Sequence, residues 1–182
     1  VRRRIKGRSV EGKIDRRMKG VAMDELARQI LKDVALEEIA PKAQKRSPVD
    51  HWSSPVLLER AAYLKKLAQY GDGSASETLR EYPGHQAMLI LRSRDGEAEL
   101  HDGSAFLFCV LAGAATLVTG GTVTPARRVG PGEIRGDSLE GGARQQLRAG
   151  DVAHVPAGTA HQILVAAEKP IACFVVKIQE AG

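Results

Sequence analysis

Aromatic side chains are scarce in this chain of 182 residues: one Trp, three Tyr and three Phe make up 4% of it. An apolar fraction of 43% is nonetheless enough for a core, which must therefore be mostly aliphatic. No apolar run approaches the roughly 18–20 residues that a membrane-crossing helix needs, so a membrane-spanning helix is excluded. No apolar stretch follows the first basic residues, so a secretory signal is not expected, and the pair Arg2-Arg3 does not make an export signal. Cysteine is nearly absent. Cys109 and Cys173 lie in apolar stretches far from any CxxC spacing, which reads as two buried thiols in a reducing compartment, a disulfide between them being the alternative. A soluble, cytoplasmic protein is the expectation.

The net charge of +5 is unevenly placed. Residues 1–19 hold nine basic and two acidic side chains, a net of +7, which leaves −2 for the remainder. The folded part is thus mildly acidic, and nucleic acid is not an expected partner. Residues 1–22 read as a basic, disordered leader with no essential role, with Met18 or Met23 a candidate physiological start.

Residues 23–83 read as a helical extension. Leu26, Ile30 and Val34 recur every four residues between Asp24 and Ala40, with Asp24 and Glu25 in the first turn and Pro41 at the end. A second helix opens on Ser54 as N-cap with Pro55 in the first helical position, carries Leu57, Ala61, Leu64 and Ala68 as an apolar stripe, and stops at Gly71. Ser74 with Glu77 reads as a capping box for a short third helix that ends before Pro83.

From residue 84 to 180 the pattern changes to short strand-like runs between Gly and Asp turns. They cover 87–93, 97–102, 106–111, 116–119, 145–147, 152–155, 162–166 and 171–178. Asp95-Gly96 and Gly120-Gly121 read as hairpin turns. About eight strands with no helices between them call for an antiparallel sandwich or barrel, because parallel pairing requires long crossovers. Residues 125–142, with two prolines and five glycines, read as a long loop.

Within that region Gly150-Asp-Val-Ala-His-Val-Pro156-Ala-Gly158-Thr-Ala-His161 resembles the second motif of the cupins, G-x5-P-x-G-x2-H, at full spacing. The first cupin motif is degraded. Anchored on Val110-Leu111-Ala112-Gly113, it places Phe106 where the family has a glutamate, His101 on the second histidine and Glu99 on the first, with Ser93 in place of the opening glycine. The resemblance covers about the last hundred residues. It implies an all-β fold, a cupin-like jelly-roll antiparallel barrel preceded by the α-helical N-terminal extension, and pairing of barrels into a homodimer through sheet edges.

Period-2 geometry puts Glu99 and His101 on one strand face. If His161 meets them as in metal-bearing cupins, a carboxylate and two imidazoles converge, a donor set suited to Fe, Mn, Ni or Zn. Phe106, Phe108, Val110, Ile163 and Val165 share the inward parity and would shape an apolar pocket, and His154 would join them if its face is inward. Two functions follow from this pattern. One is a metal-dependent enzyme, oxygenase-like or isomerase-like, acting on a small organic molecule. The other is a non-catalytic module that binds a small ligand in a barrel without a functional metal site.

Three other patterns fail on context. Gly136-Asp137-Ser138-Leu139 with Asp151-Val-Ala-His154 imitates an esterase nucleophile block, but no helix follows Ser138 and no third group orients a base. Gly130-x-Gly132 lacks the strand and helix of a dinucleotide site. The gap from Pro41 to Ser54 is too long for a helix-turn-helix.

Overall fold

The computed structural model describes residues 49–166 and 169–180. The basic leader and the helix expected over Asp24–Ala40 lie outside them. The first described element is helix α1, Ser54–Ala68. Ser53 precedes it in an extended conformation, Pro55 sets its first turn, and Lys65 and Lys66 sit in the last turn, where the helix dipole favours cations. Its apolar stripe of Leu57, Ala61, Leu64 and Ala68 is buried as the spacing predicts.

Thirteen strands follow: β1 (Ser74–Tyr82), β2 (His85–Arg92), β3 (Ala98–His101), β4 (Ser104–Ala112), β5 (Ala114–Thr119), β6 (Thr122–Thr124), β7 (Arg127–Gly130), β8 (Glu133–Gly136), β9 (Ser138–Glu140), β10 (Ala143–Arg148), β11 (Val152–Val155), β12 (His161–Leu164) and β13 (Ile171–Gln179). One sheet runs β1-β2-β13-β4-β11, a second runs β10-β5-β12-β3-β8-β7, and β6 pairs with β9. All pairings are antiparallel. The two large sheets face each other over a core of Phe106, Phe108, Val110, Leu117, Leu147, Val155, Ile163, Val165, Ile171, Cys173 and Val175.

The middle stretches of β2 and β13 in the first sheet are apolar on both sides. Met88 and Ile90 of β2 face the core, while Leu89 and Leu91 face outward onto α1. In β13, Cys173 and Val175 point inward, and Ala172 and Phe174 meet the helix and Trp52. The Trp52 and Phe174 rings lie 5.8 Å apart. Burying a Leu side chain such as Leu89, with no exposed surface, contributes about 1.5–3 kcal/mol. The helix therefore seals an outer sheet face that water would otherwise meet.

Three local signals were overridden by pairing between distant segments. The expected third helix is strand β1: the Asp72 carboxylate accepts hydrogen bonds from the Ser74 amide (2.9 Å) and hydroxyl (2.7 Å), so Ser74 closes a turn instead of capping a helix. Glu77 pairs with Arg60 of α1. The pairs Asp95-Gly96 and Gly120-Gly121 are not hairpin turns either, because β2 and β3 belong to different sheets and β6 pairs with β9 rather than β5. Asp95 instead accepts a hydrogen bond from the Val165 amide at 2.6 Å, fixing a crossing between sheets. Residues 125–142, expected as a loop, contain β7, β8 and β9. Their prolines and glycines punctuate short strands at a sheet edge.

Gly113, between β4 and β5, has φ +82°, and a Cβ built there would stand 1.9 Å from the Pro170 carbonyl oxygen. Only glycine permits this approach.

Candidate functional site

Strand β3 carries Glu99 and His101 two residues apart, so both side chains leave the same face. The turn after β11 brings His161 to them. Gly150 (φ +93°) and Gly158 (φ +70°) take left-handed conformations at either end of the segment, and the Gly158 amide donates to the His101 carbonyl at 2.8 Å. The chain thus crosses from β11 in one sheet to β12 in the other, where His161 pairs with Glu99 across the ladder. The G-x5-P-x-G-x2-H spacing is therefore a geometric device: it ties the turn to the β3 end and delivers an imidazole beside the β3 carboxylate.

These side chains line a cavity of about 260 Å³ between the large sheets. Phe106, Phe108 and Ile163 form part of its wall, with Met88, Ile90 and Val175. The Phe106 ring lies 4.9 Å from that of His101 and 5.3 Å from that of His161. Val110 and Val165 are buried in the same core but take no part in the lining. His154 requires correction. The inward residues of β11 are Ala153 and Val155, so His154 shares the outer face with Val152 and is exposed. Ser138 is also remote from chemistry, since its hydroxyl donates to the Thr124 carbonyl at 3.3 Å on the small β6-β9 sheet.

The sequence reading missed the cations. Arg92 of β2, Arg135 of β8 and Lys177 of β13 all line the cavity. Parity alone would have found two of them: Arg92 continues the inward series Met88, Ile90, and Lys177 continues Cys173, Val175. Arg135 was hidden because its segment reads as loop.

Glu99 is the hub of this wall. Its Oε1 contacts Arg92 Nη2 at 3.1 Å and Arg135 Nη1 at 2.5 Å, and its Oε2 lies 3.3 Å from His101 Nε2. Burial by itself would raise its pKa; the hydrogen bond from His101 and the charges of Arg135 and Arg92 outweigh it and hold the carboxyl at about 2. Arg135 also donates from Nε (2.9 Å) and Nη2 (2.5 Å) to Glu133 Oε1, which keeps Glu133 below the ordinary carboxylate range. Burial opposes the charge on Arg135, and Glu99 and Glu133 restore and strengthen it. Burial lowers the pKa of His161, which favours the neutral ring. The neutral ring's Nδ1 lies 3.2 Å from the Thr159 carbonyl and donates to it, which leaves the Nε2 lone pair as an acceptor.

Glu99, His101 and His161 converge, yet as arranged they do not fit a divalent ion. Both oxygens of the carboxylate are already engaged by two guanidinium groups and an imidazole, and the positive charge a metal would supply is present as Arg92 and Arg135. Phe106 presents a ring where the family's glutamate would add a fourth donor. Among the described residues no group of three or more His, Cys, Asp or Glu side chains is placed to hold a metal. The expected metal triad is replaced by an ion-pair cluster.

Two facing antiparallel sheets, closed by a turn that returns His161 into the interior, give the chain a cupin-like barrel fold. No family model matches the chain, and no curated protein matches it. Solved structures similar to it include a conserved protein with a double-stranded β-helix domain from Klebsiella pneumoniae, at 14% identity over 74% of this chain and 91% of that one, with a TM-score of 0.49. A sugar phosphate isomerase of the cupin superfamily from Silicibacter pomeroyi matches at 20% identity over 59% of this chain and 60% of that one, with a TM-score of 0.43. A cupin domain of Cnp3 from Schizosaccharomyces pombe matches at 15% identity over 59% and 64%, with a TM-score of 0.41. Among the described residues no helix is long and apolar enough to cross a membrane.

Proposed function

We propose that the barrel binds a small organic molecule in the cavity between its sheets and does so without a divalent ion at Glu99, His101 and His161. The observation that carries this reading is the state of Glu99, whose carboxylate is consumed by Arg92, Arg135 and His101. A metal entering there would displace two partly buried ion pairs and leave the Arg92 guanidinium without its carboxylate partner, which is unfavourable. The wall joins apolar side chains, among them Phe106, Phe108, Met88 and Ile163, to convergent polar groups, a combination found in small-molecule sites.

One observation favours a second reading, a metal-dependent enzyme of isomerase-like or oxygenase-like type. His161 directs Nδ1 to a backbone carbonyl, the arrangement in which a metal-binding histidine presents Nε2. That reading requires Arg92 and Arg135 to release Glu99. Elemental analysis of protein purified without a histidine tag separates the two. Metal well below one equivalent, unchanged in His101→Ala and His161→Ala, together with ligand-dependent melting shifts, supports the metal-free pocket. A full equivalent that disappears in both variants overturns it.

A further inference from the structure

We propose that the ligand of this cavity is a small organic acid with an apolar body, its carboxylate held by Lys177 and a hydroxyl or N–H group donated to His161. This rests on the metal-free reading of the pocket. The charges of the wall divide into satisfied sets with one remainder. Arg92 and Arg135 are matched by Glu99 and Glu133. Glu97, the other acidic residue of the lining, pairs with Arg127 at 2.6 Å on the exposed side. Lys177 is the cation left over.

Its position suits the anionic end of a ligand whose apolar body packs on an aromatic side chain. Lys177 pairs with Phe106 across the β13-β4 ladder, and its ammonium stands 5.6 Å from the Phe106 ring centroid. Glu133 lies within Coulombic range of Lys177 but forms no ion pair with it, and its Oε1 accepts from Arg135. Among the described residues Lys177 takes part in no ion pair, so an incoming carboxylate gains a charge-assisted hydrogen bond without displacing one.

A second group of the wall has the complementary character. His161 also packs on Phe106, with ring centroids 5.3 Å apart, and offers an acceptor at Nε2. Phe106 thus contacts both an ammonium outside any ion pair among the described residues and an imidazole that offers an acceptor. Phe108, Ile163, Met88 and Val175 supply apolar contact for the body of the ligand. A cavity of about 260 Å³ has room for a single ring or a short chain.

The test uses the full chain, dialysed against chelator, and calorimetric titration with paired probes: 4-hydroxybenzoate against 4-hydroxybenzamide, and 4-hydroxybutyrate against 4-hydroxybutyramide. At least one acid should bind about ten- to hundredfold more tightly than its amide, the range expected for one hydrogen bond to a charged group. Lys177→Met should bring that acid to the affinity of its amide, and Lys177→Arg should retain most of the preference. Unchanged melting temperature of Lys177→Met without ligand shows that the fold is intact. Equal binding of acid and amide, binding of neither, or an acid preference that survives in Lys177→Met, overturns the inference while leaving the metal-free pocket standing. Acid binding that appears only when a divalent ion is restored overturns the metal-free reading itself.

Discussion

Replacing Glu99 by glutamine keeps the side chain's shape and removes its charge, so it measures what the ion-pair cluster contributes. The carboxyl is held at about 2 against an ordinary 4.5, despite burial, by His101, Arg135 and Arg92. That difference corresponds to about 3 kcal/mol of folding free energy. Because the folded-state value is depressed, the contribution is complete above the unfolded-state value and fades as pH falls toward 2. At pH 3 about half of it remains. Urea unfolding followed by the fluorescence of Trp52, which packs on Phe174 in the apolar layer between α1 and the first sheet, gives the stability at each pH. Glu99→Gln should be less stable than the parent by about 3 kcal/mol at pH 7, and the gap should shrink to about half at pH 3. Set against the roughly 5–15 kcal/mol of a typical domain, this is a large fraction. A gap that stays constant from pH 7 to pH 3 would refute the reasoning, because the loss would then come from packing and not from the ionised carboxylate.

Gly113→Ala should destabilise the barrel by about 3 kcal/mol or more in the same assay, since the new methyl group would overlap the Pro170 carbonyl oxygen in a left-handed backbone conformation. Gly103→Ala, where nothing stands within 4 Å of the added carbon, is the control and should differ from the parent by less than about 1 kcal/mol. Gln162→Leu should cost about 2–4 kcal/mol, because the buried amide donates to the Gly96 (2.8 Å) and Asp137 (3.1 Å) carbonyls and accepts from the Leu139 amide (3.1 Å). A loss below about 0.5 kcal/mol would show that water replaces those bonds. Cys173, buried with its thiol pushed up to about 12, should resist alkylation in the folded protein at pH 8 and react once unfolded in urea. Rapid labelling in the native state, read by mass spectrometry, would contradict its burial.

The barrel was legible in the sequence wherever local pattern and global fold agree. Alternation along Phe106, Phe108 and Val110 reflects a wall that is buried on its inner side. The second cupin-like motif was readable because each residue in it does local work: Gly150 and Gly158 adopt conformations other residues disfavour, and His161 follows at a fixed distance. The failures share a different cause. Ser74-x-x-Glu77 satisfies the rule for a helix start, but pairing of 74–82 with β2 outweighs it. Asp95-Gly96 has hairpin chemistry, yet hydrogen bonds with Val165, Ile163 and Gln162 hold it between sheets. The cations of the site were lost for a related reason, since a Lys or Arg in a strand reads as solvent-facing until its parity is followed. The triad of Glu99, His101 and His161 converges, but its partners Arg92 and Arg135 come from strands distant in sequence, and they decide what it can hold.

Strands β2 and β13 are oily on both sides, one toward the core and the other toward α1. In a sheet with one wet face, sliding a strand by a single residue exposes its whole greasy set, and that penalty locks the alignment. Here a one-residue slide would merely trade one apolar side chain for another, so hydrophobicity alone is a weak ruler. Alignment must be set by shape: the irregular step between Ala172 and Cys173, and the contact of Gly113 with Pro170 that admits no larger residue. The ammonium of Lys177 enters the cavity only in the correct alignment, so the close contact of Gly113 with Pro170, just before β13, helps to fix which charge lines the cavity.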